Sequence, residues 1–282
     1  MQYQGWVTIN GVGVPATQCG MDKKTEPIIP ETIWGSGWKI NYSRGRNTYG
    51  GDVTFPMFKS YITPLKALVV SARDTGVDVV VDDSLNKFTY GTSKVTAMRL
   101  SGDAKGVVNC ALTFASLSRT AAAHDPGSGW TTPTTQSTNT EIPFPGFTTA
   151  FTAFGINRAD VIDWEISVNN NPFPLYTLNG SQDPADIQLG HLDVTGSFSY
   201  YLNSASGFGW LSGVVSDSPE DTNALVDTNT SCGSIALDGN ALWTFGQGVI
   251  TDAARPLDGP NNKPIRKVGF RLLGTATQAP LY

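Results

Sequence analysis

Histidine and cysteine are nearly missing from this chain, at two and three of 282 residues, and charged side chains make up only 15% of it. Two histidines, His124 and His191, with cysteines scattered at Cys19, Cys110 and Cys232, do not assemble the donor set of a zinc site. An odd number of cysteines with no CxxC pair argues against a disulfide framework and points to a reducing compartment. The formal net charge is -5, which argues against a basic groove clamping nucleic acid; an acidic surface lets a polyanion pass without sticking. No apolar run nears the roughly 18 residues of a membrane helix. The opening MQYQGWVTING lacks the basic flank and apolar stretch of a secretory signal. The expectation is a soluble, unexported protein without membrane insertion. Aromatic residues, at 10% and spread along the whole length, argue against disorder.

Groups for catalysis are equally scarce. An enzyme of this size normally gathers side chains that move protons, attack or hold a metal. His124 stands beside Asp125 and Pro126 in a polar segment and reads as a solvated turn residue. His191 and Asp193 share one face of a strand, but no Ser or Cys lies in a nucleophile-elbow context, so they read as a polar pair. Cys110 shares a strand face with Val108, Leu112 and Phe114 and reads as a small core residue. The acidic run at 217–223 lacks the glycine and spacing of a calcium loop. The glycine-rich words at 35–38 and 207–210 do not extend into a phosphate-binding loop. No catalytic residue, metal or cofactor is assigned.

What is present is β pattern. Gly, Pro, Asn, Ser and Thr punctuate the chain every few residues, and short alternating or apolar runs lie between them. Strands are expected at 5–10, 51–58, 77–81, 95–100, 107–117, 161–168, 191–202, 242–250 and 266–273. One helix is expected in PLKALVVSARDTG, with Pro64 in its first turn, Leu65, Leu68, Val69 and Ala72 at helical spacing, and Gly76 as its cap. A weaker helical candidate spans 217–226. Between about residues 119 and 145 the composition turns to Thr, Ser, Pro and Gly, which predicts an extended linker between one domain at 1–118 and another at 146–282.

The halves share short words in the same order. Trp6 to Pro15 matches Trp164 to Pro174, Asp52-Val53-Thr54 matches Asp193-Val194-Thr195, and Val108 to Phe114 matches Arg266 to Leu272 in strand character. This alignment requires an insertion of 18 residues in the first half, within 26–46. On the strand at 191–202, Leu192, Val194, Phe198, Tyr200 and Leu202 alternate with His191, Asp193, Thr195, Ser197 and Ser199. One face packs and the other is wet, either as an ordinary solvated sheet or as the wall of a water-filled channel.

Two tandem β-rich halves, a strand beginning DVTGSFSYYL after a Gly turn, an early W-x-x-I/V-N-x-x-x-x-P segment and a single helix between strands resemble the major tail tube protein of long-tailed, siphovirus-type bacteriophages, in the version with a duplicated tube domain. The resemblance implies a mainly β fold of two tandem β-sandwich domains, each with at most one short helix. It implies a structural, non-enzymatic virion protein, assembled in the host cytoplasm into the tail. Its partners would be further copies in a ring of three and in stacked rings, other tail proteins such as the tape measure and tail terminator, and double-stranded DNA in transit. With about four strands per domain, roughly 24 strands spaced ~4.8 Å and tilted ~40° close a barrel near 48 Å across. Asp52, Thr54, Asp193, Thr195, Ser197 and Ser199 would then face the lumen.

Three other readings stay open. A baseplate hub or distal tail protein carries similar domains. A two-domain carbohydrate-binding module would use Trp34, Trp38, Trp130 or Trp210 as stacking platforms. An enzyme would lose turnover on mutation of His191.

Overall fold

The computed structural model describes residues 6–26, 45–83, 85–123, 141–154, 161–178, 181–201, 225–226, 232–254, 265–274 and 279–282. In the first half the strands are β1 (Trp6–Ile9), β2 (Val12–Val14), β3 (Gln18–Cys19), β4 (Asp22–Thr25), β5 (Asn47–Pro56), β6 (Val77–Asp82), β7 (Asn86–Asp103), β8 (Asn109–Ser116) and β9 (Ser118–Ala123). The second half holds β10 (Thr149–Ala153), β11 (Val161–Asn169), β12 (Pro172–Leu175), β13 (Asp186–Leu189), β14 (Asp193–Tyr201), β15 (Leu225–Val226), β16 (Gly233–Leu237), β17 (Asn240–Phe245), β18 (Gln247–Ala254) and β19 (Ile265–Leu273). Helix α1 (Ile62–Lys66) is short, preceded by a 3-10 turn at Lys59–Tyr61 and continued by a π-helical turn at Ala67–Ser71.

The expectation of a mainly β chain with little helix holds. Pro64 falls in the first turn of α1, where its missing N–H costs nothing, and Leu65 and Val69 are buried. Helical structure ends at Ser71 rather than at Gly76, because Ala72 leaves the helical region and its N–H closes the last turn on Ala67. The weaker helical candidate is corrected where it is described: Leu225 and Val226 pair with β18 as strand. Residues 217–224 lie outside the described residues. So do 124–140 of the expected linker, whose first residues form β9 against β7. The run expected as one strand at 242–250 is two, β17 and β18, which separate at Gly246 into different sheets. β7 reaches 18 residues because its polar first part, invisible to a pattern of alternation, pairs with β6 and β9.

All strand pairings are antiparallel. The second part of β7 lies between β8 and β11, and this pairing carries one sheet from the first half of the chain into the second. The order across it is β3/β4, β5, β8, β7, β11, β14, β19, β18, with the two-residue β15 beyond. Each half thus supplies four strand positions to a continuous wall.

One face of this wall is apolar and covered. In the second half β10, β16 and β17 form a second layer, and the Phe151 ring lies 5.5 to 5.9 Å from those of Phe198, Phe245 and Trp164. In the first half β1, β2, β6 and the start of β7 cover it together with the helical segment. There Tyr61 packs edge-on against Phe55 and donates to the carbonyl of Gly13. Each buried ring contributes about 1.5–3 kcal/mol through the apolar area it removes from water.

Strand order corrects the alignment of the halves. In the second layers, β10–β16–β17 parallels β1–β6–β7, and in the wall β14–β19–β18 parallels β5–β8–β7. Val53 opposes Leu112 as Val194 opposes Leu272. The partner of Leu112 is therefore Leu272, two residues beyond the one expected. The strand of Trp6 answers to β10, whereas that of Trp164 is β11 in the wall. With β1 set on β10, the distance to β5 or β14 is nearly equal in both halves, and the 18-residue insertion is not needed.

An arm, described at residues 170–178 and 181–190 with β12 and β13 at its base, leaves β11 and lies against the first half. Its Asp183 carboxylate accepts from the Tyr49 hydroxyl at 2.6 Å and from Asn47 Nδ2 at 2.7 Å, and Lys94 Nζ donates to the Ile187 carbonyl at 2.6 Å. The hydrogen bonds from Tyr49 first and then Asn47 hold the Asp183 carboxyl below its ordinary value. Because the folded value is the lower one, the contribution is present above the unfolded value and is lost as pH falls through the folded one. Thermal unfolding followed from about pH 5 to about pH 3 should show a steeper loss of Tm in the native chain than in Asp183→Asn. Parallel curves would contradict the assignment.

Candidate functional site

The face of the wall that no described layer covers is polar across both halves, and the strand registers align its side chains into transverse rows. One row runs Asp52, Thr113, Ala97, Asn169, Asp193. The next runs Thr54, Ala111, Arg99, Ser167, Thr195, Arg271. A third runs Asn109, Ser101, Glu165, Ser197, Gly269, with Asp252 beyond the last. A fourth runs Asp103, Asp163, Ser199, Lys267. The six residues singled out from sequence thus stand on one surface, although Asp52 and Asp193 are four strands apart.

Exposure varies along it. Asp52 and Thr195 are exposed, and Thr54, Asp193 and Ser197 half-buried. Ser199 is only 6% exposed and is withdrawn from water. Sequence reasoning missed Arg99, Asp103, Asp163, Glu165 and Ser167. The signal was available in DWEISVN, where Asp163, Glu165 and Ser167 alternate with Trp164, Ile166 and Val168.

Across these four rows six carboxylates (Asp52, Asp103, Asp163, Glu165, Asp193 and Asp252) face three cations (Arg99, Lys267 and Arg271). Two of the cations are tied down. Arg99 Nη2 lies 2.5 Å from Glu165 and Arg271 Nε 2.9 Å from Asp193. Such exposed pairs add at most about 1 kcal/mol to stability. Their larger effect is to leave little free positive charge on an acidic face. Asp52 is held by the Thr113 hydroxyl at 2.6 Å.

No catalytic constellation forms among the described residues of this surface. Asp193 is engaged by Arg271, and the exposed His191 stands next to Asn171 instead. Cys110 is fully buried, and burial pushes its thiol well above the usual range; burial likewise pushes Cys232 up to about 12. No group of three metal-binding side chains occurs among the described residues. His124, Trp34, Trp38, Trp130 and Trp210 lie outside the described residues. What the described surface presents is a wide, mildly acidic, hydroxyl-rich wall.

Comparison with known proteins yields one family, described as phage tail tube protein, whose pattern matches residues 9–265. No curated protein matches the chain.

Proposed function

The chain belongs to the phage tail tube protein family, and from that premise we propose that three copies join wall to wall into a ring whose inner surface is the polar face described above. The family places it in the virion tail as a structural protein that assembles with itself and with other tail proteins. Residues 1–118 and 146–282 are two versions of one unit joined by 119–145, so that three chains supply six units. Stacked rings form the siphovirus-type tube through which double-stranded DNA leaves the particle, with tape measure and terminator proteins as further partners. Assembly takes place in the host cytoplasm.

The observation that carries this reading is the β7–β11 seam. Within one chain, a strand of the first half already pairs with a strand of the second to make a wall of eight positions. The same edge-to-edge step between chains removes the strand edge at β3/β4, which no strand among the described residues of one copy pairs. Three walls of eight positions give about 24 strands, a barrel near 48 Å across, wide enough for a duplex after side chains line it. An acidic lining in which Arg99 and Arg271 are paired keeps phosphate from being captured. Electron microscopy of the purified chain at high concentration should show open rings of three copies and tubes built from them. Closed particles or monomers at every concentration would contradict it.

A further inference from the structure

At the end of the second sandwich where β11 begins, a cavity of about 510 Å³ opens between the wall and the turn joining β16 to β17. Phe147, Thr149, Phe151, Val161, Trp164 and Gly239 are among its lining residues. Two of these carry polar atoms with no partner among the described residues: the indole N–H of Trp164, a residue 4% exposed, and the hydroxyl of Thr149, 7% exposed. A buried donor without an acceptor is costly, so the site is incomplete as it stands. Phe147, on its rim, is 73% exposed.

The arm leaves the opposite end of the same strand. It shows Phe173 at 64% exposure and Leu178 fully to water, yet its backbone is held in place by Asp183 and Tyr176 on the first half. A preorganised apolar projection loses little freedom on docking. β11 has nine residues at about 3.3 Å each, so projection and cavity are about 30 Å apart and cannot meet within one chain. They can meet between copies displaced along the strand direction. A knob and a hole at opposite ends of one subunit make a heterologous contact, which repeats without closing and produces a filament.

We infer that the cavity receives the arm of a second copy in the neighbouring ring, with Phe173 and Leu178 entering among Phe147, Phe151 and Val161. Backbone carbonyls of the arm then supply acceptors for Trp164 and Thr149. This rests on the tube reading and names the contact that stacks one ring on the next.

Two experiments on the full chain test it. In a Cys19→Ser background, Phe173→Cys with Phe147→Cys should give, on oxidation of assembled tubes, a ladder of linked chains extending well beyond a single ring. Phe173→Asp with Leu178→Asp, both at exposed positions, should leave rings intact and raise the concentration needed for elongation about tenfold or more, equivalent to about 1.4 kcal/mol. Tubes that form normally from the Asp variant, together with tubes of the Cys variant that give no ladder, would overturn this contact while leaving the tube standing. Native protein that forms neither rings nor tubes would overturn the tube itself.

Discussion

Gly51→Ala is expected to abolish folding. Gly51 lies inside β5 with φ at +147°, in a region that L side chains rarely adopt, and a Cβ there would overlap the carbonyl oxygen of Gly20. The obstacle is backbone on the neighbouring chain segment, so no rotamer change relieves it. Gly50 repeats the situation on the other side, where a Cβ would overlap the carbonyl of Phe114 in β8. The two glycines let β3 and β8 close on β5 at the point where the first-half wall is assembled. Gly11→Ala is the matched control. Gly11 also has a positive φ, +75°, but nothing lies within 4 Å of its Cβ position, so the cost should be about 1 kcal/mol. Circular dichroism and urea unfolding should give an unfolded or aggregated Gly51→Ala chain beside a folded, slightly weakened Gly11→Ala chain. Equal, small losses in both would mean that β5 does not run as described.

A second large effect is expected from Thr54→Lys combined with Thr195→Lys. Both positions fall in the row that already contains Arg99 and Arg271, so the two new lysines place four cations at one level of each chain's wall. Thr195 is exposed and Thr54 half-buried, so long side chains can reach water from either without displacing core atoms. In a ring of three, that row becomes a belt facing a duplex from all sides. Binding through phosphate neutralisation falls steeply with salt, by about a thousandfold or more between 50 and 200 mM for six to ten contacts. Tubes assembled from the variant in the presence of duplex DNA should retain it at about 50 mM salt and release it at about 200 mM, whereas unaltered tubes retain none at either. A particle carrying the variant should deliver its DNA slowly and lose infectivity. Indifference of retention to these substitutions would separate the polar face from the path of DNA.

The wall's apolar and polar faces were legible because β14 and β19 alternate strictly, which marks Asp193, Thr195 and Ser197 without reference to any partner strand. The surface they join was not legible. Its continuity depends on β7 meeting β11, a pairing between residues 60 to 72 positions apart whose register no local pattern encodes. Ser199 shows the limit of alternation: it keeps the parity of a wet residue, yet its neighbours remove it from water. β4 was missed because DKKT has no apolar member; it is held by its ladder to β5 and all four residues are exposed. The frame in which the halves were aligned is not the one that strand order follows. Trp6 and Trp164 attract the eye, while the topologically equivalent β1 and β10 share little beyond small and apolar residues at strand spacing.

The central claim is that the polar face lines a lumen, and reagent size tests it most directly. With Cys19 replaced by Ser, Thr195→Cys offers one thiol on that face beside the two buried ones. In free chains it should react with a small maleimide and with a maleimide fixed to a protein-sized carrier alike. In assembled tubes it should still react with the small reagent and be refused by the carrier. Full labelling by the carrier in intact tubes would put the face on the outside and contradict the account.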